Sequence, residues 1–466
     1  MAPHIHIRLR SAVIPTHMAI GASLVIAGCS SGSGSDRAAS AIGWADTGVN
    51  TVSKPMSGAG VTAVTSLSKG GALETAVYEL AGGKRLWVRP ATMAGRPAGM
   101  GVQPPAVVGA GGATVVVALE PQKKGKWNAT LVARDARTGQ QKWTRPVDST
   151  FGPVRCGPYL CLSEFTASKD ARFVALDPAT GRGMWKMPGI AEVEWSDGLG
   201  AAGGGQGGAP RVVVFRMAKH PALESRDLKT GKTLWSFPVE QAVGSGVNLS
   251  GGWAFGSLGD ALIGYLAPYQ AKKGEPLSTF GFFGLRLADG QQTWARPGML
   301  RVYPSANPAI ALITREVDPS GRYGGFAQLD PRSGQTTSRI PAEKVPQSAW
   351  WLAFPSDLST LGFLSKDHGG AAYDLHAATP VRLKGRKSWS FCTVDPAQLQ
   401  IPGQPGFYPV ASLCAYDLAT GKRIGNPGPP PGWYTGAVDG WRVWRDENGA
   451  LHGAHDAKGT SPGMYG

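Results

Sequence analysis

A short turn-and-strand motif recurs along the chain and constrains the fold more than any other feature of the sequence. A glycine is followed four residues later by tryptophan, and three residues after that by proline, in five places. The glycine and tryptophan of each copy are Gly83 with Trp87, Gly139 with Trp143, Gly181 with Trp185, Gly231 with Trp235, and Gly290 with Trp294. Because the copies lie 42 to 59 residues apart, they predict one domain built from repeated units.

An aspartate precedes the glycine by four residues in the three clearest copies, and each part of the motif has a physical role. These aspartates are Asp135, Asp177 and Asp227. We expect the carboxylate to accept hydrogen bonds from the amides of the turn, and the glycine to supply a positive φ. The tryptophan then lies in the returning strand, where it can fill the gap between neighbouring sheets. Proline ends that strand because it has no N–H for the ladder.

The spacing of the turns predicts a single all-β propeller of four-stranded blades over residues 44–450. Two further turns keep the acid and lose the tryptophan, at Asp330 to Gly334 and at Asp417 to Gly421, and a degenerate unit is expected near Ala378. Eight turns about 48 residues apart fit eight blades, or seven if a terminal unit completes another blade. A hairpin over residues 441–449 is expected to close the ring with amino-terminal strands. Glycine and proline make up over a fifth of the chain, which favours short strands joined by turns.

The first 28 residues have the layout of an export signal. Arg8 and Arg10 precede an apolar run from Met18 to Ala27, which is too short to span a bilayer as a helix. The ending Ile26-Ala27-Gly28-Cys29 resembles the lipobox of bacterial lipoproteins, which implies a diacylglyceryl group on Cys29, cleavage before it and acylation of the new amino terminus. Residues 29–43 are then a lipidated flexible tether, and residues 451–466 a flexible tail.

The cysteines agree with export to an oxidising compartment. If Cys29 carries lipid, four cysteines remain, and an even number outside the cytoplasm suggests two disulfides among three possible pairings. A turn signal between Cys156 and Cys161 favours that pair, which leaves Cys392 with Cys414 in two strand-like runs.

The chain is basic, with a formal net charge of +15 that falls to +13 when residues 1–28 are removed. Short basic runs occur at Lys123, Lys124 and Lys126, at Lys272 and Lys273, and from Arg382 to Lys387. They are either a solvated surface or a means of attraction to lipid headgroups or anionic wall polymers. The export signal argues against nucleic acid as the partner.

The pattern Ala-x-Asp-x-x-Thr-Gly-x-x-x-Trp, as at residues 133–143, resembles the tryptophan-docking motif of the quinoprotein-alcohol-dehydrogenase-like propellers, which are built from pyrroloquinoline-quinone-like repeats. The resemblance covers about residues 70–450. That superfamily includes cofactor-dependent enzymes and a non-enzymatic lipoprotein that assists outer-membrane β-barrel assembly. The resemblance therefore implies the fold and does not select the function.

The sequence favours a binding scaffold over an enzyme. Many of the superfamily's enzymes carry two adjacent cysteines over the cofactor, and this chain has no such pair. His452 and His455 could bind a metal, but two histidines in a glycine-rich segment are more often solvated. We therefore expect no cofactor, no metal site and no catalytic residue. The expected protein is a monomeric lipoprotein on the extracytoplasmic face of the cell membrane, which binds an envelope protein or an anionic polymer. The alternatives are a ligand-sensing subunit of a signalling system and a quinone-dependent dehydrogenase.

Overall fold

The structure is a computed structural model that describes residues 43–456 with internal gaps. The gaps are residue 98 and residues 123–127, 197–209, 273, 302–312, 318–322, 345–350, 354–359, 366–368, 375–386, 402–407, 418–419, 421, 426–427 and 431. For residues 351–374 and most of residues 388–398 only the backbone is described. Cys29, the export signal, the tether before Gly43, the basic residues at 123–126 and the tail beyond residue 456 therefore lie outside the described part.

The described chain is almost entirely β-strand. The strands are β1 (Gly43–Asp46), β2 (Asn50–Thr51), β3 (Met56–Gly58), β4 (Val61–Leu67), β5 (Leu73–Glu79), β6 (Arg85–Pro90), β7 (Ala106–Ala110), β8 (Ala113–Pro121), β9 (Ala129–Asp135), β10 (Gln141–Cys156), β11 (Tyr159–Phe165), β12 (Ala171–Leu176), β13 (Gly183–Pro188), β14 (Ile190–Ser196), β15 (Arg211–Met217), β16 (Ala222–Asp227), β17 (Thr233–Pro238), β18 (Trp253–Leu258), β19 (Ala261–Leu266), β20 (Gly281–Arg286), β21 (Gln292–Pro297), β22 (Met299–Arg301), β23 (Ile313–Val317), β24 (Tyr323–Leu329), β25 (Thr336–Pro341), β26 (Trp351–Ala353), β27 (Thr360–Ser365), β28 (Gly369–Asp374), β29 (Lys387–Leu399), β30 (Tyr408–Asp417), β31 (Arg423–Ile424), β32 (Trp441–Arg445) and β33 (Leu451–His455). Two single-turn helices, α1 (Glu240–Val243) and α2 (Gly432–Thr435), and a 3-10 turn at Leu249–Gly251 complete the set. No helix in the described ranges is long and apolar enough to cross a membrane.

The repeating unit is an antiparallel sheet of four consecutive strands, as the motif predicts. Strands β14 to β17, β18 to β21 and β22 to β25 each form such a sheet in chain order. The strand that ends in the motif aspartate is third, and the strand that carries the tryptophan is fourth. In the seven-stranded sheet from β7 to β13, the long strand β10 is the fourth strand of one unit and continues as the first strand of the next.

Neighbouring units bury both sides of each sheet, which explains why the central strands are apolar without alternation. In β15, Val213 and Phe215 belong to one hydrophobic cluster, whereas Val212 and Val214 belong to another. All four side chains have no exposed surface. Because successive residues of a strand point to opposite sides, one β-branched run supplies the core on both sides of its sheet.

The ring is closed by strands from the two ends of the described chain. Strand β33 lies between β32 and β1, and Gly43 in β1 pairs with Ala454 in β33. The expected closing hairpin is therefore present, but the expected tail boundary is wrong, because Leu451–His455 forms the middle strand of this sheet. The glycine and histidines of this segment suggested a solvated tail. The number of blades stays a prediction, because several connections after residue 301 lie outside the described part.

Candidate functional site

The motif tryptophans link each unit to the next through one repeated contact. The indole N–H donates a hydrogen bond to the carbonyl of the residue three positions before the turn glycine of the following unit. These bonds run from Trp87 to Ala136 (2.9 Å), Trp143 to Pro178 (2.7 Å), Trp185 to Leu228 (2.7 Å), Trp235 to Leu287 (3.0 Å) and Trp294 to Pro331 (3.2 Å). Trp87, Trp235 and Trp294 are buried, whereas Trp143 and Trp185 keep part of their surface exposed.

The turn glycine has a second role that the sequence did not reveal. Because it has no Cβ, the motif tryptophan of the preceding unit packs directly against its Cα. Gly181 has φ of 71°, and a Cβ on it would lie 2.7 Å from the Trp143 ring. Gly231 has the same φ and would place a Cβ 2.6 Å from Trp185. Any other residue would be strained and would displace the indole.

A sixth copy of the contact, at the closing sheet, has no motif in the sequence. The Trp44 indole N–H donates to the Leu80 carbonyl at 2.8 Å, and Trp44 lies against Gly83. Its own strand, β1, has no preceding Asp–Gly turn, because its partner strand β33 comes from the other end of the chain. Because this turn is missing, Trp44 lies outside the repeated sequence motif.

The motif aspartates cap their own turns. Oδ1 of Asp135 accepts hydrogen bonds from the backbone N–H of Arg137 and from the N–H and hydroxyl of Thr138. Asp227 accepts from both groups of Thr230, and Asp177 from Ala179 and Thr180. Hydrogen bonds from the turn lower the pKa of Asp135 and Asp227. Asp135 and Asp227 are therefore ionised structural groups, each with Oδ1 engaged by its own turn.

The turns divide the ring into two surfaces. We call the side that carries the Asp–Gly turns the turn face; the first hairpin of each unit lies there too, since Leu228 N–H donates to the Pro210 carbonyl and Leu287 N–H to the Asp260 carbonyl. We call the opposite side the loop face. It carries the second hairpins and the connections between units, including residues 91–105, 239–252 and 267–280.

The first strands of successive units contact one another at the centre of the ring, as β14 does with β18. A charged cluster that sequence reasoning missed lies there. Glu192 and Glu194 are on β14, and Trp253 begins β18. Lys54 follows β2, and Arg96 lies in the connection after β6. We call these five residues the central cluster.

The carboxyl groups of the central cluster differ from those of the turns. Burial raises the pKa of Glu194 well above its usual value, and the charge of Glu192 raises it further. Burial also raises the pKa of Glu192, against the attraction of Arg96 and Lys54 and a hydrogen bond from Trp253. Oε1 of Glu194 is shielded from solvent and has no hydrogen-bond partner among the described residues. A pair of acids spaced two apart in an otherwise apolar strand was the available sequence signal.

Arg96 is held by neutral groups within its own connection. Its Nε donates to the Gly101 carbonyl at 2.6 Å, and its Nη1 donates to Oε1 of Gln103 at 2.7 Å. Gln103 in turn donates to the Pro153 carbonyl at 3.1 Å. The guanidinium is thus fixed in place while its charge acts on Glu192. The cluster thus places two cations near a pair of acids.

The other predicted site residues have structural surroundings. Cys156 and Cys161 are disulfide-bonded across the hairpin between β10 and β11. Cys414 is also disulfide-bonded, but the side chain of Cys392 lies outside the described part, and their pairing stays a prediction. The backbone register sets Cys392 opposite Ser412.

His452 and His455 belong to the closing sheet. Nε2 of His452 lies 2.9 Å from Oδ2 of Asp446, and its ring stacks on Trp444. His455 packs edge-on against Trp441. Among the described residues there is no group of three or more histidine, cysteine or acidic side chains placed to hold a metal ion.

Comparison with known proteins gives one family match, described as outer membrane protein assembly factor BamB, over residues 36–187. No curated protein matches the chain. BamB from Moraxella catarrhalis is a similar solved structure, with 12% identity, a TM-score of 0.41, and coverage of 87% of this chain and 99% of that one.

Two quinoprotein enzymes are also among the similar solved structures. Quinohemoprotein alcohol dehydrogenase from Comamonas testosteroni has 12% identity, a TM-score of 0.39, and coverage of 90% of this chain and 77% of that one. A europium-containing methanol dehydrogenase has 12% identity, a TM-score of 0.35, and coverage of 87% and 82%. The family match and the repeated docking of tryptophan on the turn glycine together identify the chain as a member of the superfamily of pyrroloquinoline-quinone-like repeat propellers.

Proposed function

We propose that this protein is a non-enzymatic binding scaffold, anchored by a lipid on Cys29 to the extracytoplasmic face of the cell membrane, whose loop face binds an envelope protein. The proposal rests on the structural role of the residues in the repeated motif. The motif tryptophans, glycines and aspartates are engaged in docking and capping, and they form a ring held by identical contacts. Such a ring is a rigid support for variable loops.

The family match supports a protein partner. The matching family is described as an assembly factor for outer membrane proteins, and the match includes four of the docking tryptophans, Trp44 among them. The Cys156–Cys161 disulfide agrees with an oxidising compartment, where such bonds persist. An anionic polymer remains the alternative ligand, since the chain is strongly basic.

The loop face is the better binding surface of the two because its connections are long and vary in length. The connection over residues 267–280 exposes Leu277 at 44% of its surface, and Lys219 is exposed in the hairpin between β15 and β16. The Asp–Gly turns on the other side have nearly constant sequence. Variable loops on a constant support are the usual place for recognition.

The central cluster suits a quinone and calcium site poorly. In the superfamily's enzymes such a site is central, and calcium prefers an all-oxygen shell of carboxylates and carbonyls. Here the positive charges of Lys54 and Arg96 act on Glu192, which disfavours a divalent cation at that carboxylate. We therefore propose no quinone-dependent oxidation.

Photo-crosslinking in intact cells tests the scaffold. A benzophenone side chain at Lys219 or at Leu277 should capture the same envelope protein, whereas the same group at Lys186, exposed on the outer strand β13, should not. Capture of different proteins at Lys219 and Leu277, or of the same protein at Lys186, would contradict a loop-face partner.

A cofactor test separates the scaffold from an enzyme. Adding pyrroloquinoline quinone and calcium to the purified protein should leave its melting temperature unchanged and should not support dye reduction with alcohols or sugars. A ligand at 100 times its dissociation constant would add about 2.7 kcal/mol to the stability of the folded state, which a thermal scan detects. A clear rise in melting temperature together with dye reduction would establish an enzyme.

A further inference from the structure

The point where the tether joins the folded body sets which side of the ring lies nearest to the lipid anchor. Gly43, the first residue of β1, pairs with Ala454, near the end of β33. In the other units the start of the fourth strand pairs with the end of the third, directly after the Asp–Gly turn. Strand β1 therefore starts at the turn face, where Trp44 contacts the turn of the next unit through Leu80 and Gly83.

The length of the tether makes this position matter. Thirteen residues separate Cys29 from Gly43. A flexible glycine- and serine-rich linker of this length has a root-mean-square span of about 20 Å. A strand of six residues is itself about 20 Å long, so a membrane at the loop face would require the tether to run the full height of the ring. With the turn face toward the membrane, the tether needs to cover only the gap to the headgroups.

The turn face also presents cations that can meet anionic lipid. Every such turn or its flank, except the one at Gly290, where Arg286 pairs with Asp289, exposes a lysine or arginine that makes no ion pair within 4 Å in the described part: Lys84, Arg137, Arg182, Lys229, Lys232, Arg332 and Lys422. The acids of the same turns hold their carboxylates against the turn's own amides, as Asp227 does. The aliphatic stems of lysine and arginine let the charges extend beyond those acids.

We propose that the turn face is a membrane-facing surface that contacts anionic phospholipid headgroups, so that the loop face of the anchored ring points away from the membrane. The inference rests on the lipid anchor of the proposed function. Lysine and arginine are drawn to anionic headgroups within about one Debye length, roughly 8 Å at physiological ionic strength. The tether keeps the ring close to the membrane, and the cations determine which face of the ring lies against the lipid.

Site-specific photo-crosslinking of the full chain in its own membrane tests the orientation. A benzophenone side chain is placed at Lys232 or Arg182 on the turn face, and at Lys219 or Lys69 on the loop face. We expect phospholipid adducts, identified by the added mass, to be at least five-fold more abundant at the turn-face positions. Equal yields on the two faces, or protein adducts in place of lipid at Lys232, would overturn the proposal.

Charge reversal supplies the electrostatic arm. With benzophenone at Arg182, the pair Lys229→Glu and Lys232→Glu should lower the lipid-adduct yield at least three-fold, whereas the matched loop-face pair Lys69→Glu and Lys219→Glu should not change it. An unchanged yield in the turn-face pair would overturn the role of the cations.

Mature mass and membrane fractionation, measured on the same samples, report whether the lipid anchor is present. A chain that is not lipidated contradicts the proposed function, whereas a lipidated chain without face preference contradicts only this inference.

Discussion

The turns and the centre of the ring use carboxylates in opposite ways. At the turns, Asp135 and Asp227 accept several short hydrogen bonds, and their pKa values are lowered. At the centre, the half-buried Glu192 and Glu194 lie side by side on β14, and their pKa values are raised. The difference separates carboxyl groups whose ionised form the fold stabilises from carboxyl groups whose ionisation it penalises. Perturbed acids of the second kind are candidates for function.

The largest effect is expected at the docking tryptophans, which hold the turn face together. Replacing Trp235 by alanine should lower the free energy of unfolding by about 3–5 kcal/mol, the usual loss for a large aromatic in a core. Trp235 is buried and its indole donates to Leu287, whereas its neighbour Leu234 is 44% exposed. Urea unfolding of Trp235→Ala measures the loss, with Leu234→Ala as the matched control. A loss below about 1 kcal/mol would show that the docking contact does not stabilise the ring.

A smaller, pH-dependent loss is expected at the turn carboxylates. Asp227→Ala should lower stability at neutral pH by about 1–2 kcal/mol, because hydrogen bonds to an ionised group from the amide and hydroxyl of Thr230 are lost. Since the folded-state pKa of Asp227 is lowered, this contribution is present above its unfolded pKa of about 3.9 and is lost as the pH falls. Unfolding curves of the wild type and the variant should converge in acid. A difference that persists at low pH would contradict the ionised cap.

The smallest expected effect is an increase in stability, from a substitution at the centre of the ring. Glu194→Gln should stabilise the protein by about 1 kcal/mol at neutral pH, because it removes the penalty of ionising a buried group with an unpaired oxygen. The folded-state pKa is raised, so the carboxyl's favourable contribution is complete in acid and is lost as the pH rises. The gain of the variant should therefore grow with pH. Glu275→Gln, at an exposed residue, is the matched control, and a destabilised Glu194→Gln would contradict a raised pKa.

The sequence predicts the fold well because the fold is repeated. Each copy of Asp, Gly and Trp reports the same turn and the same contact, so errors in one unit are corrected by the others. The prediction fails where the motif is absent. Trp44 docks without an Asp–Gly turn of its own, and Leu451–His455 forms a strand although its glycine and histidines suggested a solvated tail. Both depend on pairing between distant parts of the chain, which local patterns do not encode.

The central cluster could not be assembled from the sequence for a related reason. Lys54, Arg96 and Glu192 lie in distant parts of the chain and meet only because the ring brings its first strands together. No spacing in the chain links them. The repeat explains the sheets that carry these side chains. Because it also accounts for the residues that recur in every unit, the side chains that do not recur are the better guide to function.

The pairing of β1 with β33 makes completion of the ring one of the last steps of folding. Gly43 meets Ala454 across about 400 residues of intervening chain, so the last sheet cannot form until the chain has been synthesised as far as β33. Until then β1 is an unpaired strand and the ring has an open edge, which is prone to pair with other chains. Strand β33 is therefore required to complete the ring: a chain that stops before residue 451 leaves β1, with Trp44, without its partner strand.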